Sequence, residues 1–237
     1  NFRPYSQGTT YESRTWHYTS HVEMVGKDVF QGRQRWKLRS TESFDTGSDI
    51  YKGYNYYLES KDSLLLYGYS GASASILPKT SSYYGYSCNG MKFFSLRDLI
   101  IFFHEGIEYT SLRSMDSITV ENIPPAVFIF PFRVGSTWLF RPEHPFRIGK
   151  KIIGAESIAT PAGWFLCYKI QWFWDFNHDG EWDDNLRRFD YISSRGLLKR
   201  TLIGKDLTVT TAGSPEGIGK VDFINESIVT SIHAQDN

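Results

Sequence analysis

Cysteine is nearly absent: Cys88 and Cys167 are the two in 237 residues. That excludes both a disulfide framework and the paired spacing of a structural zinc site. Two readings stay open for the pair, one bridge in an oxidising compartment or two buried thiols acting as small hydrophobes. Net charge is absent as well, since 26 basic residues offset 26 acidic ones. The densest basic pairs, Lys150-Lys151 and Arg187-Arg188, read as solvated strand ends. Without a basic footprint to neutralise phosphates, nucleic acid is not an expected partner. No apolar run approaches the ~20 residues of a membrane-spanning helix. The longest, Leu99–Phe103 and Ala126–Phe130, are strand-sized, so no transmembrane span is expected. The chain opens on Asn1 with no signal peptide, so an upstream segment is expected to have been removed, with a lipid anchor as one form it takes.

Catalytic signatures are also scarce. Gly71-Ala-Ser-Ala-Ser75 lacks the second glycine of a nucleophile elbow. Gly213–Lys220 has neither Walker spacing nor a following Ser or Thr and reads as a turn. His104-Glu105 has no second histidine in zincin register. His17 and His21 lie about 13 Å apart on an extended strand, too far to share an ion. A glycosidase-type carboxylate pair is a spatial arrangement that sequence does not reveal, so an envelope-polysaccharide hydrolase stands as the alternative function.

Aromatic residues are abundant, at 16%, and such side chains fit pleated, half-buried surfaces. Alternation of period two runs through Thr15–Val25 and Gln34–Ser40. Residues 164–174 read as a long strand with both faces partly buried, and Ile118–Val120, Leu207–Thr210 and Ile228–Ile232 add β-branched runs. Turn signals at Asp45-Thr-Gly47, Lys52-Gly53, Asn89-Gly90, Pro161-Ala-Gly163, Asp179-Gly180 and Ser194-Arg-Gly196 punctuate them as an antiparallel meander requires. Ser95–Glu105 suits either a helix or a strand. The fold class expected is all-β, as two similar curved antiparallel sheets or partial barrels.

An ordered set of features occurs twice. Gly8, Trp16-His-Tyr18, Val22–Gly26 and Trp36-Lys-Leu38 are echoed by Gly135, Trp138-Leu-Phe140, Lys151–Gly154 and Cys167–Ile170. Tyr56–Ser60 before Leu64–Leu66 is echoed by Phe189–Ser194 before Leu197-Leu198. An internal duplication follows, with residues 1–122 as the first β-rich copy and 123–237 as the second. The boundary is placed at Asn122-Ile-Pro-Pro125, because two prolines do not continue a central ladder.

The second copy carries a recognisable pattern. Phe130-Pro-Phe-Arg-Val-Gly-Ser-Thr-Trp-Leu-Phe140, Gly154–Ile170 with its Thr160-Pro-Ala-Gly163 turn, and Tyr191–Arg200 resemble segments of bacterial secreted proteins and lipoproteins of unknown function. The match covers about 75 residues. Ser136 replaces the usual Asn, and the first copy lacks the Thr-Pro-Ala-Gly turn. The resemblance implies a curved antiparallel sheet, a secreted, periplasmic or envelope-anchored location, and no catalytic activity.

One loop points to a ligand. Residues 175–184 read Asp-Phe-Asn-His-Asp-Gly-Glu-Trp-Asp-Asp, with oxygen ligands at alternate positions followed by a glycine, as a hard cation needs from a tight loop. Asp175, Asn177 and Asp179 would converge, Gly180 would permit the turn, Glu181 would offer its carbonyl, and Asp183 would complete the ring. The twelfth position of an EF-hand is Leu186 here, and Asp184 would supply the missing carboxylate. Calcium is the cofactor expected, in a structural role. A polar hairpin tip without metal is the alternative, weighed against by five carboxylates in ten residues. The aromatic clusters Tyr83–Tyr86 and Trp172–Trp174 suit either a core or a ligand surface. The function expected is a non-catalytic envelope module that binds a glycan, an apolar ligand or an envelope protein.

Overall fold

A computed structural model describes residues 2–5, 18–44, 50–70, 85–89, 91–93, 118–142, 146–211 and 214–233. Strands in the first half are β1 (Phe2–Tyr5), β2 (Tyr18–Phe30), β3 (Arg33–Phe44), β4 (Ile50–Glu59), β5 (Ser63–Ser70), β6 (Gly85–Cys88), β7 (Met91–Phe93) and β8 (Thr119–Val120). Those in the second half are β9 (Ala126–Ile129), β10 (Thr137–Arg141), β11 (Arg147–Thr160), β12 (Gly163–Asp175), β13 (Leu186–Ser193), β14 (Gly196–Thr211) and β15 (Ser214–Ile228). No helix occurs among the described residues; Ser95–Glu105 lies outside them.

The chain is all-β and forms two antiparallel sheets. One unit comprises Asn1–Arg14, Tyr84–Gly106 and Phe132–Asn237, the other Thr15–Tyr83 and Ile107–Pro131. The first unit's sheet runs β1-β15-β14-β13-β12-β11-β10, with β6 on β14 and β7 on β6. The second unit's sheet runs β2-β3-β4-β5-β8, with β9 also on β5. β1 and β6 precede residue 122, yet their backbone groups pair with β15 and β14, and β7 pairs with β6. β9 follows residue 122, yet pairs with β5.

Turns fall where local chemistry calls for them at Pro161-Ala162 and at Ser194-Arg195, each followed by a glycine at positive φ. Other expected turns are strand. Gly53 lies within β4 opposite Ser40, and Gly219-Lys220 pairs with Thr208-Val209 of β14. The second case arises because β15 begins at Ser214, opposite Thr211, so the reversal is complete before most of the glycine-rich segment. β15 ends at Ile228, and Val229 then donates to the Leu198 carbonyl without forming a strand.

The basic pairs are not solvated strand ends. Alternation sends one member of each pair inward, so Lys150 and Arg188 are buried while Lys151 and Arg187 are exposed. On this face Trp138, Lys150, Trp172, Arg188 and Leu202 lie in cross-strand register. Asp190 is the hub. Its carboxylate accepts from Arg188 Nε and Nη2 at 3.1 and 2.8 Å, from Arg200 Nε and Nη2 at 2.7 and 3.2 Å, and from Trp172 Nε1 at 3.0 Å. Burial alone would raise this carboxyl, but the two guanidiniums outweigh it and hold the group far below the usual range. The Lys150 ammonium stands 3.6 Å from the Trp172 ring and 4.1 Å from that of Phe140. Its burial, then the positive charge of Arg188, depress it well below an ordinary lysine.

The two sheets share a local pattern. In β2–β3 the register shifts between Met24 and Gly26, after the pair Met24–Leu38 and before Gly26–Lys37. In β11–β12 it shifts between Ile152 and Gly154, after Ile152–Ile170 and before Gly154–Lys169. Lys37 then meets Asp28 at 3.1 Å and lies over Tyr54 and Tyr56. Lys169 meets Glu156 at 3.2 Å and lies over Phe189 and Tyr191.

Candidate functional site

The acidic loop joins β12 to β13. Trp174 and Asp183 close its base, the Asp183 amide donating to the Trp174 carbonyl at 2.8 Å. Left-handed His178 (φ 58°) and Gly180 (φ 94°) turn the chain between them. Short side chains satisfy the amides so exposed. Asn177 Oδ1 accepts from Asp179 N, Asp179 Oδ1 from Glu181 N, Asp175 Oδ2 from Gly180 N, and Asp183 Oδ2 from Phe176 N. These are side-chain mimics of backbone turns.

Asp175 anchors the arrangement, being 1% exposed. Its Oδ2 forms an ion pair with Arg147 Nη2 at 3.0 Å, and the same nitrogen donates to the Gly180 carbonyl at 2.6 Å. Its Oδ1 is buried and has no hydrogen-bond partner among the described residues. Arg147 is therefore a cation supplied by the chain itself, lying 4.5 Å over the Trp182 ring. Burial, then the charges of Asp175 and Asp179, raise the Asp183 carboxyl, against the opposing amide of Phe176. Asp179 is lowered, first by the Glu181 amide and then by Asn177.

The structure thus brings Asp175, Asn177, Asp179 and Asp183 into one bonded loop and leaves two members outside it. Asp184 is 98% exposed along its side chain and reaches Arg187 at 3.8 Å, and the exposed Glu181 contributes its amide. Leu186, at the twelfth position, is a core side chain. Among the described residues no three His, Cys, Asp or Glu side chains are gathered as a metal-ready group. Asn89, in the β6–β7 turn, donates to Asp183 Oδ1 and Asn185 Oδ1, tying the loop to a segment far away in sequence. Sequence reasoning missed both Arg147 and Asn89. Arg147 shares a strand face with Gly149, against which Trp182 packs.

Gly149 tests that packing. A Cβ there would stand 2.8 Å from Trp182 Cη2. Gly149→Ala is expected to lift the indole from Arg147 and from Phe173, whose ring is 5.7 Å away. Its emission should move to longer wavelength, read as the difference from the same substitution in a Trp182→Phe background. A stability loss of about 1–3 kcal/mol should accompany it.

A second feature lies at the other end of β12. β13 pairs with β12 over Tyr168–Trp172, so Gly163–Cys167 projects beyond it, and among the described residues its strand pairing is with β11 alone. Trp164 is 76% and Leu166 69% exposed there, and residues 157–168 carry no charge. Cys88 and Cys167 are both buried and free. Burial pushes the Cys88 thiol up to about 12, against a hydrogen bond from Asn185.

No protein-family model matches the chain, and no curated protein does. Among solved structures it is similar to a candidate lipoprotein from Parabacteroides distasonis, at 11% identity and a TM-score of 0.31, over 98% of this chain and 92% of that one. No helix among the described residues is long and apolar enough to cross a membrane.

Proposed function

We propose that this chain is a non-catalytic module of the bacterial envelope or secreted fraction, built from two diverged copies of one β-unit, whose 175–184 loop takes a structural calcium ion. The observation that carries the calcium reading is the buried, unpartnered Oδ1 of Asp175 in a loop where Asp175 and Asp179 push the Asp183 carboxyl upward. A hard divalent cation relieves both features at once, by coordinating Oδ1 and neutralising the three carboxylates. Arg147 keeps Oδ2, so the two oxygens of Asp175 divide between guanidinium and metal. Binding draws Asp179 and Asp183 inward from their present turns.

Duplication is supported by the shared register shift, the Gly–Lys pairs, and the lysine–acid–aromatic arrangement repeated at Lys37 and Lys169. The compartment rests on the resemblance of residues 130–200 to secreted proteins and lipoproteins. Ligand or partner binding is favoured by the uncharged overhang of β12, where a strand edge carries Trp164 and Leu166 into solvent. Native proteins usually blunt such edges with charge.

Thermal unfolding of metal-stripped protein, with and without millimolar calcium, tests the ion. Millimolar calcium at about tenfold excess over its dissociation constant stabilises by about 1.4 kcal/mol, and each kcal/mol moves Tm by roughly 2–4 °C at this size. Asp179→Ala should abolish the rise. Equal melting with and without calcium in the wild type would remove the metal from the proposal.

A further inference from the structure

Arg35 of β3 is a buried cation whose charge the described residues leave unmatched. It is 3% exposed, one residue inside the exposed Gln31–Gln34 rim at the β2–β3 turn. Its Nη1 donates to the Gln34 carbonyl at 2.9 Å. One flat face lies 4.1 Å from the Tyr67 ring, whose hydroxyl donates to Gln31 Oε1 at 2.6 Å. Nε and Nη2 are buried with no acceptor among the described residues. Those two N–H groups form one edge of the guanidinium, the edge that grips a carboxylate or phosphate with two parallel hydrogen bonds.

The neighbouring charges explain why the edge is left over. Arg35, Lys37 and Arg39 alternate along one face of β3. Glu23 takes Arg39. Asp28 stands opposite Arg35 in register, but its carboxylate turns to Lys37 at 3.1 Å. Three cations face two carboxylates, and an unpaired buried charge costs several kcal/mol.

The other sheet separates scaffold from site. Glu156 stands opposite Cys167 as Asp28 stands opposite Arg35, and it too turns diagonally, to Lys169. The lysine–acid–aromatic arrangement is present in both sheets, but where the first copy has Arg35 the second has the buried, uncharged Cys167. The pattern therefore forms without an arginine at this position.

We propose that Arg35 is an oxyanion-binding site, receiving the carboxylate of an acidic sugar or the phosphate group of a small ligand on its Nε–Nη2 edge beside Tyr67. This narrows the ligand of the proposed binding module to an anionic one, while standing on a different unit from the calcium loop. The test is thermal unfolding of the full chain without calcium, in sodium glucuronate, in inorganic phosphate, and in sodium chloride at matched ionic strength. Glucuronate or phosphate should raise Tm by several degrees over chloride, and the larger shift identifies carboxylate or phosphate as the preferred group. Arg35→Lys, which keeps the charge but lacks the fork, should lose most of that shift. Arg35→Met should lose it entirely and melt no lower than wild type in chloride. Both variants should keep whatever calcium response the wild type shows, so failure of one site is distinguishable from failure of the other. The proposal is overturned by equal melting of the wild type in all three salts, or by an undiminished shift in Arg35→Lys. A marked fall in Tm of Arg35→Met in chloride also overturns it, because the guanidinium would then be a satisfied structural group.

Discussion

Asp190→Ala is expected to cost about 3–5 kcal/mol, the range for breaking a buried ion network by removing one partner. The substitution leaves Arg188 buried without its carboxylate, frees both Arg200 donors, and strips the Trp172 indole of its acceptor. Urea denaturation reads this as a lower midpoint at nearly constant slope. Arg187→Ala, one residue along and pointing outward, should stay within about 0.5 kcal/mol of wild type. The hub also sets an acid limit. The folded carboxyl titrates below its unfolded value near 3.9, so its stabilisation is complete above about pH 5 and lost as pH falls towards the folded pKa. Wild type should therefore lose stability steeply below about pH 4, and Asp190→Ala should lose less over the same interval. A flat wild-type profile there would show that the two guanidiniums do not hold the carboxyl down.

Gly204→Val should be comparably damaging for a steric reason. Gly204 of β14 pairs with Leu186 on one side and Phe223 on the other, and a Cβ at this position would fall within the Phe223 ring. That ring is itself buried, at 2% exposure. Overpacking of this kind costs about 1–3 kcal/mol, and the branched side chain places this case at about 3. A double-mutant cycle identifies the cause. Phe223→Leu alone should destabilise by removing core volume, but in the Gly204→Val background it should recover stability. Additive losses would place the strain elsewhere.

Period-two alternation makes the strands legible in the sequence. In β12 it runs through Ile170, Trp172 and Trp174; in β13 through Leu186, Arg188, Asp190 and Ile192. The same alternation sets Arg188 and Asp190 among inward apolar residues, whereas the adjacency of Arg187 and Arg188 suggested solvent. What resolves the conflict is three-dimensional: Arg200 arrives from the next strand to complete the network. The membership of the units was not legible, because β6 joins β14 across more than a hundred residues and local patterns carry no information on such pairing. The loop motif was readable as a spacing of oxygens. Its internal cation, Arg147, was not, since that contact depends on the β11–β12 register bringing Arg147 opposite Asp175. Arg35 was hidden for a related reason: only the diagonal turn of Asp28 leaves it unmatched.

The most direct measurement on the account is a calorimetric titration of the metal-stripped full chain with calcium, beside Asp179→Ala and Asp183→Ala. One ion is expected to bind per chain at a dissociation constant in the ~10⁻⁴–10⁻³ M range of extracellular modules, with no binding heat in either variant. A wild type that binds no calcium would contradict this, leaving Arg147 as the loop's cation.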